Sequence, residues 1–204
     1  MVFPYLDSTL CILQIPKKSS NSLKAHYRTT VDREDQSVEV LSSEPRAVLF
    51  HNFLSPEECD YLISLAKPHM RRAKINDIIT GKSIHSSART CSSMYLTHGR
   101  DKTIRFIEKR IADFTSLPVE NGEGLQIIHY KVGQMIEAHT DYFTNDSLIK
   151  NGGQRLATVL MYLSDLKKVV RRFSLLQRGP SIEIVAKQGY PLNQKRGMHC
   201  FSIA

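Results

Sequence analysis

The run NGGQRLATVLMYLSD, residues 151–165, constrains the fold more than any other part of the chain. It begins with a turn and continues as an apolar stretch rich in β-branched and aromatic residues, which predicts a buried strand. The run LQIIHY, residues 125–130, alternates well enough to predict a half-buried strand. Residues 134–143 lie between these two and are predicted to form a third strand. The central part of the chain is therefore expected to fold around a sheet.

Two polar residues, His139 and Asp141, lie at the end of the third predicted strand, in GQMIEAHTDYF. On an extended backbone, side chains at positions i and i+2 share a face. One imidazole and one carboxylate on a common face supply two of the three ligands of a non-haem Fe(II) site. A His-X-Asp triplet also occurs by chance in many sequences, so the pair alone does not establish a metal site. A third ligand is not evident.

Two helices are predicted beside the strands. A strand at residues 47–53 precedes a helix for which Ser55 is the N-cap, Pro56 the first helical residue and Glu58 the capping-box partner. A second helix is predicted to begin near Asp101, with apolar residues at helical spacing on one side and Lys or Arg on the other. Both helices are interpreted as scaffold.

Composition is consistent with one globular domain: the 204 residues are 41% hydrophobic and 24% charged. The net charge of +8 does not indicate nucleic-acid binding, because no basic stripe interleaved with aromatic residues is present. The four cysteines lie far apart without CxxC pairing, which argues against a zinc ribbon and leaves disulfide pairing and compartment open.

Three segments, residues 48–70, 123–134 and 151–165, together with the His-X-Asp pair, resemble the prolyl 4-hydroxylase family of Fe(II)/2-oxoglutarate dioxygenases, most closely the plant type. The resemblance implies an α+β fold, a double-stranded β-helix (jelly-roll) core braced by helices. It further implies a dioxygenase-like domain at 42–168, after a flexible N-terminal stem at 1–41 and before an atypical tail at 169–204. The C-terminal strands of the core are expected to be missing.

The resemblance also implies residue roles. His139 and Asp141 would be metal ligands, and Tyr130 would hydrogen-bond 2-oxoglutarate, although a buried aromatic with a satisfied hydroxyl is a competing interpretation of Tyr130. The residues that would line the peptide groove or orient active-site groups are Arg89, Glu123 and Arg155. An Arg or Glu near a strand end is often only a solvated surface residue.

The implied cofactors are Fe(II), 2-oxoglutarate and L-ascorbate, and the implied substrate is a proline-rich peptide, bound as an extended polyproline II helix. The family usually has an N-terminal membrane anchor and works in the endoplasmic reticulum. Residues 10–16, LCILQIP, are too short to span a bilayer and lack a positively charged flank, so no anchor is evident. Within the matched region, Ile136, Thr140 and Cys91 replace hydroxyl-bearing residues of relatives, which puts substrate affinity in doubt.

The resemblance stops after Asp165, and the distal His and the Lys that family members use for iron and 2-oxoglutarate are not present. Residues 169–175 can be encoded so that the same bases, read one base earlier, give Gly-Gly-Glu-Thr-Val-Phe-Pro, a family motif. Residues 190–201 give a second family motif, ending in Asp-Ala-Leu-Leu-Phe, in the same register. We therefore interpret the tail as a frameshifted or mis-spliced sequence, in which His199 is not a ligand.

The sequence thus predicts a prolyl 4-hydroxylase by descent, with impaired activity in this chain. The alternatives are a catalytically inactive peptide-binding or regulatory isoform, and a basic interaction protein unrelated to iron, which the matched segments disfavour. The oligomeric state stays open.

Overall fold

A computed structural model describes residues 8–17, 37–43, 46–76, 82–137, 139, 141, 143, 149, 153–164 and 199–202. The helices are α1 (Pro56–Ala66) and α2 (Lys102–Thr115), and 3-10 turns follow at Lys67–His69 and Val119–Asn121. The strands are β1 (Ser8–Lys17), β2 (Ser37–Ser43), β3 (Arg46–His51), β4 (Arg71–Arg72), β5 (Ile75–Asn76), β6 (Ser83–Ile84), β7 (Ser92–Tyr95), β8 (Gln126–Tyr130), β9 (Gln154–Tyr162) and β10 (His199–Ser202).

The main sheet has eight strands in the order β2-β3-β10-β9-β1-β8-β7-β4, and its neighbours pair antiparallel. β5 and β6 form a separate two-stranded sheet. The strands predicted at 47–53, at 125–130 and within 151–165 correspond to β3, β8 and β9. Over the described residues, the fold is therefore a mixed α+β arrangement of antiparallel sheets and two helices.

The N-terminal strand β1 lies between β8 and β9 and pairs with both. Cys11, Leu13 and Ile15 on one of its faces are buried in the main core, and Leu10 on the opposite face belongs to a second cluster. The sequence predicted a flexible stem at 1–41, a range that includes β1 and most of β2. The prediction missed β1 because a strand buried on both faces lacks the polar alternation that marks a half-buried strand.

Both helices form as predicted. Ser55 Oγ accepts from the Glu58 amide and the Glu58 side chain accepts from the Ser55 amide, which completes the capping box of α1. Asp101 is the N-cap of α2 and accepts from the Ile104 amide. The apolar faces of the helices pack in the main core with one side of the sheet, through residues that include Leu62, Ile104, Ile107, Ile111 and Phe114.

The prediction of a strand at 134–143 is wrong, because none of the described residues of this segment belongs to a strand. The segment instead runs beside the loop at 88–90, where the Thr90 amide donates to Met135 O at 2.9 Å and the Glu137 amide to Ala88 O at 2.8 Å. Arg89 and Ile136 form an isolated bridge. Gly133, with φ +81°, turns the chain out of β8 just before this segment. The backbone of residues 135–137 therefore bonds to the loop at 88–90, while the Phe143 backbone bonds to the Gln154 side chain at the start of β9.

The C-terminal tail contributes β10, which pairs with β3 and β9. Residues 169–204 thus contribute a strand to the main sheet, although the C-terminal strands were expected to be missing. The segments on which the frameshift interpretation depends, 169–175 and 190–198, lie outside the described residues. In the part of the chain that is described, no helix is long and apolar enough to cross a membrane.

Candidate metal centre

The side chains of His139 and Asp141 lie close together. His139 Nε2 lies 3.6 Å from Asp141 Oδ1, so the two side chains face the same space although their segment is not a strand. His139 Nδ1 is 2.8 Å from the Glu137 carbonyl oxygen. Because a carbonyl only accepts, Nδ1 bears a proton, and in the neutral ring Nε2 therefore carries the lone pair. This is the tautomer that a metal ligand needs, with its orientation fixed by the backbone.

The other oxygen of Asp141 is held by two strands of the sheet. Gln14 Nε2, on β1, donates to Asp141 Oδ2 at 2.7 Å, and Thr158 Oγ1, on β9, lies 3.1 Å from the same oxygen. Thr158 Oγ1 also donates to Gln14 Oε1 at 2.8 Å. Oδ2 is therefore occupied within the protein, and Oδ1 remains directed toward His139.

His139 and Asp141 each shift the pKa of the other toward its charged form. Burial raises the pKa of Asp141, but His139, the Gln14 amide and the Arg155 charge outweigh that effect and lower the pKa to about 2. The side-chain interaction with Asp141 raises the pKa of His139, against the effect of burial. Asp141 is consequently an ionised carboxylate throughout the physiological pH range, the form that binds a cation.

Arg155 and Glu123 form a bidentate ion pair next to Asp141. Arg155 Nε and Nη2 donate to the two Glu123 carboxylate oxygens at 2.8 and 2.9 Å. Arg155 Nη1 lies 3.9 Å from Asp141 Oδ1, and the Phe143 ring centroid is 4.5 Å from Arg155 Cζ. The two predicted groove residues are thus brought together with Asp141, and an aromatic face is added to them.

Tyr130 is buried, with 3% of its surface exposed, in the second cluster. Burial, with Cys91 beside its hydroxyl, raises its pKa far above the ordinary value. The hydroxyl is therefore protonated and can act as a donor. Arg89 lies near enough to affect the pKa of both Tyr130 and His139. Its Nε is buried and lacks a hydrogen-bond partner within the described structure.

Sequence reasoning missed Gln14, Thr158 and Phe143. A signal for the first two existed, because Gln14 is the polar residue inside LCILQIP and Thr158 is the polar residue inside LATVLMYL. A polar side chain within an apolar strand needs a buried partner. Within the described ranges, no group of three or more His, Cys, Asp or Glu side chains is close enough to hold a metal ion. The third ligand of an Fe(II) site is therefore not placed.

No family model matches the chain. Comparison with individual proteins of Arabidopsis thaliana finds similarity to Probable prolyl 4-hydroxylase 10, 53% identical over 169 residues, covering 77% of this chain and 58% of that protein. Probable prolyl 4-hydroxylase 3 is 60% identical over 136 residues, covering 67% of this chain and 47% of that protein.

Prolyl 4-hydroxylase 2 from the same plant is 36% identical over 202 residues, covering 94% of this chain and 63% of that protein. The chain thus spans about half to two thirds of each relative's length. The identity extends well beyond the His-X-Asp pair, over most of the chain. The chain is accordingly a close homologue of the plant prolyl 4-hydroxylases and a member of their family.

Proposed function

We propose that the chain descends from enzymes that hydroxylate proline in proline-rich peptides, with a metal centre at His139 and Asp141. One observation supports this most: His139 Nε2 lies 3.6 Å from Asp141 Oδ1, and the Glu137 carbonyl, 2.8 Å from Nδ1, selects the neutral tautomer whose Nε2 can bind a metal. Two cis ligands about 2.1 Å from one metal ion lie about 3 Å apart. A small side-chain adjustment would therefore let both atoms bind one Fe(II).

The donor set fits Fe(II) at two of the three positions that protein side chains usually supply. The described residues provide the imidazole and the carboxylate, and a third protein ligand is not among them. When bound, Fe(II) with 2-oxoglutarate supplies the oxidising chemistry, in which dioxygen and 2-oxoglutarate are converted to succinate and carbon dioxide as proline gains a hydroxyl group. L-ascorbate would keep the iron reduced.

The chain's own residues would bind and orient the reactants. The Tyr130 hydroxyl, which stays protonated because burial holds its pKa high, would donate to a carboxylate of 2-oxoglutarate in place of its present hydrogen bond with Cys91. Arg89 would supply a positive charge near Tyr130, and its Nε is buried without a hydrogen-bond partner in the described structure. The polar contacts of His139 and Asp141 fix the ligand atoms before any reactant binds, which reduces the reorganisation that binding requires.

A proline-rich peptide suits the surface next to Asp141. Phe143 stacks on Arg155, and Tyr95, 58% exposed at the end of β7, lies within electrostatic range of Arg155 and Asp141. Aromatic faces bind extended polyproline segments because the rings of proline are rigid and apolar. The Arg155–Glu123 pair would orient the peptide backbone.

The same site gives reason to expect low turnover from this chain as written. Without the distal His, the metal has two protein ligands, and without the family Lys, 2-oxoglutarate has lost its cationic partner. Such a loss costs about 3 kcal/mol. An inactive peptide-binding or regulatory isoform is therefore the second candidate, favoured by the intact Arg155–Glu123 pair. For either, the endoplasmic reticulum membrane is the proposed location.

The metal centre can be tested with Mn(II), a redox-stable substitute for Fe(II), titrated into the full chain and followed by electron paramagnetic resonance. His139→Ala and Asp141→Asn should each weaken binding by at least tenfold. His69→Ala, which removes an exposed imidazole from the 3-10 turn after α1, is the matched control and should bind like the wild type. Equal Mn(II) affinity in His139→Ala and the wild type would overturn the proposal.

A further inference from the structure

We propose that Gln14, on the N-terminal strand β1, is a positioning residue for the metal centre: its side-chain amide holds Asp141 Oδ2, so that Oδ1 stays directed toward His139. The inference rests on the proposed metal centre and adds to it a residue from a distant part of the sequence. Gln14 and Asp141 are separated by 127 positions in the chain.

The fold explains how Gln14 reaches the site. β1 lies between β8 and β9, and Gln14 is the direct cross-strand partner of Thr158. Alternate residues of a strand share a face, so Gln14 lies on the same side as Leu10, which packs with Tyr130 in the second cluster. The opposite face of β1 packs in the main core. The sheet therefore presents Gln14 to the side where Tyr130 and Asp141 lie.

Thr158 fixes the orientation of the Gln14 amide. The Thr158 hydroxyl donates to Gln14 Oε1 at 2.8 Å, which directs Nε2 to Asp141 Oδ2 at 2.7 Å. If the amide were reversed, an oxygen would face an ionised carboxylate. Gln14 is only 8% exposed, so an unpaired amide there would be costly. The two strands thus act together on one carboxylate oxygen.

A purely structural role for Gln14 predicts something different. In that role, only the hydrogen bond between Gln14 and Thr158, which joins β1 to β9, would matter. The contact between Gln14 and Asp141 would have no effect on metal binding. In that case the loss of Gln14 would change the stability of the sheet and leave metal affinity unaffected. Loss of a partner that orients a ligating carboxylate instead weakens metal binding by about 10- to 100-fold.

The experiment compares Gln14→Met with Thr9→Val in the full chain. Met keeps the length of the side chain and removes the amide donor. Thr9 is also 8% exposed on β1 and loses a contact of similar kind, because its Oγ1 lies 3.1 Å from His129 Nδ1 on β8, whereas Gln14 contacts Asp141 and Thr158. Mn(II) affinity by electron paramagnetic resonance, the visible spectrum of bound Co(II) and the thermal midpoint are measured for each.

We expect the Mn(II) Kd of Gln14→Met to rise at least tenfold, with an altered Co(II) spectrum, while Thr9→Val binds like the wild type. Equal binding by Gln14→Met and the wild type would overturn the positioning role and leave the metal centre intact. Equal losses in both variants would also overturn it, since the cause would be a loosened strand. A wild-type chain that binds no Mn(II) would remove the metal centre itself, and the role of Gln14 with it.

A second pair of variants serves if Gln14→Met does not fold. Thr158→Val removes the hydroxyl that orients the Gln14 amide and that also lies 3.1 Å from Asp141 Oδ2, and Thr158→Ser retains it. The Kd for Mn(II) should rise in Thr158→Val and return close to the wild-type value in Thr158→Ser. Equal Mn(II) affinity in these two variants would overturn the proposal.

Discussion

At the scale of single residues, the candidate site depends on hydrogen bonds that give the two oxygens of the Asp141 carboxylate different partners. Asp141 Oδ2 is bound by Gln14, and Oδ1 faces His139 Nε2 and Arg155 Nη1. The Glu137 carbonyl fixes the histidine tautomer in the same way. In each residue of the proposed metal centre, the candidate ligand atom is left available because the other polar atom of the same side chain is already hydrogen-bonded, as is usual around protein-bound metals.

Arg155→Lys should weaken the binding of a proline-rich peptide about tenfold, which corresponds to about 1.4 kcal/mol. Lysine cannot reproduce the two parallel hydrogen bonds to Glu123 or the flat contact with Phe143. Fluorescence anisotropy of a labelled peptide would measure the change.

Arg110→Lys is the matched control for that prediction. Arg110 pairs with both carboxylate oxygens of Glu58, at 2.7 and 3.0 Å, between the two helices. The control should lower the free energy of unfolding and leave peptide affinity unchanged. If it weakened peptide binding as much as Arg155→Lys does, the effect would be one of general stability and the groove assignment would be wrong.

Glu108 should make stability depend on pH. Its side chain is 3% exposed, and burial raises its pKa, against the Gly99 amide and His98, which lower it. A carboxyl whose pKa is raised on folding stabilises the protein below its ordinary pKa, and this contribution is lost as pH rises through the raised value. Glu108→Gln should therefore gain stability relative to the wild type between pH 4.5 and pH 8. Urea unfolding at both pH values would measure the difference, and a constant difference would contradict the prediction.

At the scale of elements, local signals predicted the helices and missed other parts. The start of α1 follows from Ser55, Pro56 and Glu58, because capping depends on neighbours within one turn. β1 was missed because its sequence lacks polar alternation and because the partners that bury both its faces, β8 and β9, lie more than a hundred residues away. The segment at 134–143 was predicted as a third strand between the other two. In the structure the backbone of residues 135–137 bonds to the loop at 88–90, a pairing that the local pattern does not encode.

Ser55→Ala should lower the free energy of unfolding by about 1 kcal/mol, the usual value of an N-cap side chain. Ser55 Oγ accepts from the Glu58 amide at 3.2 Å, and alanine leaves that amide without this acceptor. Ser64→Ala, at an exposed position within α1, is the control and should be neutral or slightly stabilising, since alanine has the higher helix propensity. Equal losses in both variants, measured by urea unfolding, would contradict the capping role.

Gly124→Ala should destabilise the protein by about 3 kcal/mol, the upper part of the range for overpacking. A Cβ atom at this position would lie 2.5 Å from the Leu96 carbonyl oxygen. The backbone cannot move away easily, because the Leu96 amide donates to Leu125 O at 2.8 Å and both side chains are buried. Gly133→Ala has no close contact and should cost only about 1 kcal/mol, from its φ of +81°. Thermal unfolding would rank the two, and the reverse order would contradict the expectation.

At the scale of the whole molecule, the sheet joins both ends of the sequence. β1 comes from the N-terminal end and β10 from the C-terminal end, and both pair with β9. The sequence could predict β8, β9, both helices and the His-X-Asp pair, because these depend on local pattern or on the family resemblance. It could not predict the strand order or Gln14 as a partner of Asp141, because these depend on contacts between distant segments.

The last prediction concerns the tail after Lys168. If residues 169–204 are a frameshifted sequence, restoring the reading frame after Lys168 would return the distal His and the Lys for 2-oxoglutarate. The restored protein should form succinate in the presence of a proline-rich peptide, Fe(II) and ascorbate, and His139→Ala should abolish this activity while His69→Ala retains it. The chain as written should be about 100-fold slower, which corresponds to the roughly 3 kcal/mol of a lost buried ion pair. Robust proline hydroxylation by the unmodified chain would show that the distal His and the Lys are dispensable here, and that the chain satisfies the third metal position in another way.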